Sequence, residues 1–271
     1  MKHYILAAQY IFMCFRRQRA YEQSKKKTLI TGIIALLATS AAYIFRMIGK
    51  SSFYPTLFSY LRSFIYIGLF AAWGLSVRQR IVQKQVRRCL TAVSVLLILW
   101  MTFRTAKYFI FRHPTAVRYL WYLFYIPMLF VPMLAVLIAM SLGKPDGYRP
   151  PKITRLLWVI SGALLLLVLT NDFHRLVFTF PPGDVVWSNT DHGYAAGYFF
   201  AVGWQVVCAV AALVIMRFNC RVPSGRRRLW PVIPFSVSIA YSALYYLGIP
   251  WLRYLFGDIP AFQSLMYVLH V

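Results

Sequence analysis

Seven stretches of the chain run predominantly apolar for 18 to 26 residues: 28–45, 53–77, 89–111, 117–142, 153–170, 195–216 and 229–249. A hydrocarbon core of ~30 Å takes about 20 apolar residues as an α-helix, so each stretch can cross. An eighth, 260–271, is only about half a crossing and reads as the start of a truncated helix. Near the other end, residues 4–15 are apolar but run straight into Arg16, Arg17 and Arg19. A cleaved signal peptide would be followed by small residues, so this patch is expected to lie in the interface as a helix. The pattern therefore predicts an all-α integral membrane protein. It comprises a basic N-terminal segment at 1–27, a bundle of seven complete transmembrane helices at 28–259, and the beginning of an eighth at 260–271. The longest segment between spans, 171–194, has its own character. Residues 176–180 and 185–187 flank Pro181-Pro182-Gly183-Asp184, and Pro182-Gly183 suits the centre of a type II turn. A short aromatic hairpin or loop capping the outer mouth of the bundle is the expectation.

Composition agrees: 60% of residues are hydrophobic, 18% aromatic and only 13% charged. A soluble domain is nearer half apolar and a quarter charged, so lipid must solvate the excess. The net charge of +24 would suggest nucleic acid as partner for a soluble chain. Its distribution points to the bilayer instead. With the N-terminus inside, about 21 of the 30 basic residues fall on inner segments, among them Arg78, Arg80, Lys84, Arg87, Arg88, Lys144, Lys152, Arg155 and Arg217. The expectation is a multi-pass plasma-membrane protein with a cytoplasmic N-terminus and no nucleic-acid partner. Cys14, Cys89, Cys208 and Cys220 form no CxxC and no paired spacing, which argues against a disulfide framework or zinc module.

Polar residues inside or at the ends of the spans are the candidates for chemistry. Arg62 sits well inside the second span, with Ser59, Ser63 and Tyr66 on the same helical face. An arginine there must face the bundle interior, either to meet a ligand or as a structural pin. Arg104 and Lys107 stand at the outer end of the third span, and Arg118 opens the fourth. They form either an anion-attracting mouth or a set of side chains snorkelling independently to the interface. Asn171, Asp172, His174 and Arg175 close the fifth span. Asp172 is the one acid at a span edge near these cations, so it is expected to pair with Arg62, Arg104 or Lys107. His174 is either a pH-sensitive element or a donor to a backbone carbonyl in a helix cap. Asp172, His174, Asp191 and His192 match no compact metal motif, and neither metal nor cofactor is expected. Gln205 is a mid-membrane amide suited to an interhelical hydrogen bond, as are Tyr241 and Tyr245. Pro127 and Pro132 are expected to kink the fourth span.

Five stretches carry a resemblance: LRSFIYIGLFAAWGLSVRQRIVQKQ at 61–85, WMTFRTAKY at 100–108, LLVLTNDFHRLVF at 166–178, FPPGDVVW at 180–187 and LGIPWLRYLFGD at 247–258. Together they resemble the N-terminal seven-transmembrane sensor region of bacterial histidine kinases. The resemblance implies reception of an external or membrane signal in a two-component system, with cytoplasmic sensory and kinase domains following. It names no ligand; an unidentified small-molecule or peptide signal and a second copy of the chain are the expected partners. A phosphoacceptor histidine in a cytoplasmic helix is not offered by His3, His113, His174, His192 or His270, and no glycine-rich phosphate loop occurs. The chain itself is thus expected not to be an enzyme. A small transporter or channel-like protein and a non-signalling truncated fragment are the rival readings.

Overall fold

The computed structural model describes residues 30, 32–45, 47–49, 55–81, 83–111, 113–145, 148, 150–180 and 192–219. The expected interfacial helix at 4–15, the turn at Pro182-Gly183, the spans at 229–249 and 260–271, and Asp184, Asp191, Tyr241 and Tyr245 lie outside them. The described chain is mostly helix: α1 (Gly32–Gly49), α2 (Pro55–Arg80), α3 (Lys84–Thr105), α4 (Pro114–Leu123), α5 (Tyr125–Ser141), α6 (Thr154–Leu169), a single turn α7 (Asn171–His174) and α8 (Ala196–Asn219). Five segments are long and apolar enough to cross a membrane: Gly32–Gly49, Thr56–Arg80, Lys84–Ile110, Pro114–Ser141 and Ala196–Asn219. Helix α6, at 16 residues, is about 24 Å long, short of the ~30 Å core. Thr170 and α7 extend it.

Two boundaries differ from the sequence expectation and a third, at Pro127, agrees with it, each for a local reason. The cations expected in a loop at 78–88 are largely helical: Arg78 and Arg80 end α2, while Lys84, Arg87 and Arg88 open α3. Long basic stems are good helix formers and carry their charge out to the interface. The third span does not finish as an α-helix. Residues Ala106–Ile110 form a π-helical turn, closed by Phe111 N–H donating to the Ala106 carbonyl at 3.0 Å. The fourth span divides at Phe124. Pro127 has no N–H for the Leu123 carbonyl and its ring crowds that carbonyl, so α4 stops at Leu123 and α5 restarts at Tyr125. Pro132 is accommodated within α5.

The chain forms two compact units, Met1–Ile65 and Tyr66–Val271. In the first, Thr39 Oγ1 donates back to the Ala35 and Leu36 carbonyls, and the Phe45 and Phe58 rings lie 5.9 Å apart. Leu36 and Leu37 are about two-thirds exposed, as side chains facing lipid would be.

In the second unit α5 is the central helix, packed on α3, α6 and α8. Met133 and Leu137 of α5 meet Cys89 and Val93 of α3 and Cys208 and Ala212 of α8. Small residues on α8 let the two backbones approach, the usual way membrane helices associate. Gly74 does the same for α2 and α3: a Cβ there would overlap Ser94 Oγ, which donates to the Phe70 carbonyl at 2.8 Å. Side-chain hydrogen bonds tie the helix ends. Gln83 Nε2 donates to the Ser141 carbonyl at 2.7 Å, and Asn219 Nδ2 to the Ala139 carbonyl at 2.9 Å. Trp204 Nε1 donates to Ser161 Oγ at 2.9 Å, joining α8 to α6.

The loop after α7 contributes a two-residue strand, β1 (Phe178–Thr179), paired antiparallel with β2 (Gly193–Tyr194). The second arm expected at 185–187 lies outside the described residues, and the pairing observed is with 193–194. Tyr194 stacks on Tyr198 of α8 at 4.1 Å, so the return strand is drawn to the residues that lead into α8.

Candidate functional site

The end of the second unit at which α3 and α6 finish and α4 and α8 begin holds a compact polar node. Helix α7 is one turn long and stops because Arg175 takes a left-handed conformation, φ 52°, with its N–H donating to the Asn171 carbonyl at 2.7 Å. That is a C-terminal cap built on an arginine where glycine is usual. It lets the chain reverse so that Val177 and Phe178 return over Asn171.

Asn171 is fully buried and uses both ends of its amide. Oδ1 accepts from the Val177 and Phe178 N–H groups, each at 2.9 Å, while Nδ2 donates to the Phe178 carbonyl at 3.1 Å and to Tyr122 Oη at 3.2 Å. Tyr122, also fully buried, donates its own hydroxyl proton to Asp172 Oδ1 at 2.7 Å. The other carboxylate oxygen takes Arg118 Nη2 at 2.9 Å. Four residues from α4 and α7 thus form one chain of bonds, charge-assisted at Asp172, running from a buried amide to a partly exposed ion pair. Asp172 and Arg118 keep 20% and 29% of their side-chain surface accessible, so a ligand could reach the pair.

His174 stands beside the node. Its Nδ1 accepts the Leu176 N–H at 2.9 Å, so the ring proton sits on Nε2 and donates to the Leu167 carbonyl at 3.1 Å. One ring nitrogen thus caps the end of α6 and the other holds the chain that leaves α7.

Aromatic rings close the node from above. Phe178 is fully buried, parallel to Tyr122 at 6.0 Å and 4.3 Å from Trp121. Tyr125, Tyr194 and Tyr198 also contact it. Lys107 lies in the π-helical turn, only 4% exposed, with Nζ 4.7 Å from the Tyr108 ring, 5.6 Å from Phe124 and 5.9 Å from Trp121. Cation–π attraction of this kind holds a cation in a place where lipid would not. Arg104 lies 5.9 Å from the Tyr108 ring. Arg118 is 5.6 Å from Phe180.

The structure brings Asn171 and Asp172 together and sets His174 beside them and Lys107 among the aromatic rings of α4. Asp172 finds its ion pair in Arg118, in place of the expected Arg62, Arg104 or Lys107. Arg118 lies one helical turn before Tyr122, so one face of α4 delivers both partners at once. Gln205 is elsewhere, on the α8 face shared with Ala201, Cys208 and Ala212, and its buried Nε2 has no hydrogen-bond partner among the described residues. Arg62 belongs to the first unit and is half-buried; Tyr66 opens the second and is 5% exposed. Sequence reading missed Tyr122 and Phe178, whose aromatic side chains look like ordinary span residues. The i, i+4 spacing of Arg118 and Tyr122 was the available signal.

Searches of curated proteins and of solved structures returned no match. A family model described as the N-terminal 7TM region of histidine kinase matches residues 60–269, a range that includes all of α3 to α8 and the node just described. The chain is therefore a multi-pass membrane protein that belongs to the family of N-terminal 7TM regions of histidine kinases.

Proposed function

We propose that the chain is the signal-sensing module of a histidine-kinase-type receptor, with seven complete spans, a cytoplasmic N-terminus and the node at the external end. In this reading the module lies in the plasma membrane, works as a homodimer, and leaves phosphotransfer to other domains. The observation that supports it best is the Arg118–Asp172–Tyr122–Asn171 chain of bonds. It joins α4 to α7 through one carboxylate that is still accessible. An anionic signal would compete for Arg118, and a cationic one for Asp172. Either would release α4 from α7, and helix shifts of about 1–2 Å are the usual currency of such switches. A buried amide and phenol tied to a single carboxylate have few intermediate arrangements, so breaking one bond favours a discrete second state.

The test needs no knowledge of the signal. Spin labels at Lys84 and Arg217 report on the helix ends opposite the node. In nanodiscs, Asp172→Asn should shift or broaden the distance distribution between them relative to the unaltered node. An unchanged distribution in a folded Asp172→Asn protein would remove the case for a switch at this carboxylate.

A further inference from the structure

At the other end of the second unit, an open groove of about 690 Å³ runs between α3, α5 and α6. Three arginines stand at its rim: Arg78 from the last turns of α2, and Arg87 and Arg88 from the first turns of α3. Its body is apolar, with Val95 and Leu96 of α3 facing Phe130 and Leu134 of α5 and Trp158 of α6. Trp158 packs on Phe130 at 5.7 Å and is still 48% exposed; Val95 is 49% exposed. The groove is therefore open along Val95 and Trp158.

We propose that this groove binds one anionic phospholipid, with the phosphate diester held by Arg78, Arg87 and Arg88 and an acyl chain lying along Val95, Leu96 and Leu134. Three observations carry the assignment, none of which depends on the sensor reading. First, polarity is graded along one axis. From Arg88 to Leu96 the α3 wall changes from charged to apolar over about 12 Å, the gradient of a lipid from headgroup to chain. Second, depth agrees. Arg78 and Arg87 lie within a few residues of the span ends at Arg80 and Lys84, and Trp158 is one turn inside α6, where interfacial aromatics collect. Basic pockets between membrane helices at this level are characteristic headgroup sites. Third, the protein is short of counter-charge. The chain has 30 basic and 6 acidic residues, and the single acid among the described residues, Asp172, is held by Arg118 at the opposite end. Among the described residues, the one acceptor given to these three guanidinium groups is the Ile81 carbonyl, 3.5 Å from an Arg87 Nη atom. In the proposed site, an anion from the bilayer supplies the charge that the described residues do not.

The experiment is thermal unfolding of the purified full chain in detergent, with native mass spectrometry of retained lipid. Phosphatidylglycerol should raise the melting temperature by several degrees and leave one lipid bound. Phosphatidylcholine and glycerol 3-phosphate should each do much less, because one lacks net charge and the other lacks the chain. Combining Arg78→Gln, Arg87→Gln and Arg88→Gln should abolish the difference between the lipids. Combining Lys144→Gln, Lys152→Gln and Arg155→Gln, which removes three charges near the same end, should preserve it. Val95→Trp fills the groove while keeping every arginine and should also lose the bound lipid, so the proposal stays testable if the triple arginine variant does not fold. Equal stabilisation by phosphatidylcholine or by glycerol 3-phosphate would overturn it. So would equal loss in the Lys144/Lys152/Arg155 control, or full retention of lipid by Val95→Trp.

Discussion

Asp172 is the residue on which the node turns, because its two oxygens face two different demands. One accepts the Tyr122 hydroxyl and the other balances Arg118. Replacing it with asparagine keeps the shape but removes the charge, leaving Arg118 partly desolvated without its counter-ion. Replacing Arg118 with methionine strands the carboxylate in the same way. Each single change is expected to lower stability by about 1–3 kcal/mol, the range for leaving a buried or half-buried polar group without its partner. The double variant should lose less than the sum, with a coupling of at least about 0.5 kcal/mol. Thermal unfolding in detergent of Arg118→Met, Asp172→Asn and the pair closes the cycle; additive losses would mean that the ion pair contributes nothing. Arg118 was visible in the sequence as a cation at the head of a span. Its choice as partner was not, since Arg62, Arg104 and Lys107 had equal claims by type and position.

At the scale of elements, the helices are where apolar length puts them, while their ends and breaks follow from single residues. Pro127 divides the fourth span at Phe124, and the π-helical turn at Ala106–Ile110 changes the phase of α3 just where Lys107 must be buried. Close approach of α2 and α3 depends on Gly74. A methyl group there collides with Ser94 Oγ, and both helices are held at that point by the Ser94 bond to the Phe70 carbonyl. Gly74→Ala should therefore destabilise the protein by about 1–3 kcal/mol, the cost of overpacking a close contact. Gly203, with open space around its Cα, is the matched control. Gly203→Ala should be neutral or slightly stabilising, since alanine is the better helix former. The comparison of the two melting temperatures decides the matter, and equal values would show that α2 and α3 can part without loss.

For the molecule as a whole, the alternation of helices places Arg78, Arg87, Lys144 and Arg217 at one end of the second unit and Arg118, Asp172 and Tyr194 at the other. Short loops rich in Lys and Arg are retained on the cytoplasmic side, which is why we propose that the first group lies there. Single cysteines at Lys144 and Tyr194, in a chain whose own cysteines are replaced, should react with a membrane-impermeant thiol reagent from opposite faces of the membrane. Lys144→Cys is expected to label only after the membrane is opened, and Tyr194→Cys in intact cells. Reversed labelling would invert the assignment and put the polar node on the cytoplasmic side.

The sequence by itself determined that the chain is helical, that it crosses the membrane several times, and to which family its segments are similar. Those properties depend on one-dimensional sums. Apolar residues counted over a span fix whether it enters lipid, and basic residues counted over a loop suggest which side it faces. It also drew attention to Asn171 and Asp172, because polar residues at a span edge are few. Tertiary structure decided everything that depends on a third dimension: that Asp172 meets Arg118 and Tyr122, and that Asn171 folds the following loop onto itself. It also decided that β1 pairs with Gly193–Tyr194 and that Arg78, Arg87 and Arg88 share one groove. Several cations were equivalent partners for one carboxylate in sequence. Only the packing of α4 against α7 brought one of them within 2.9 Å.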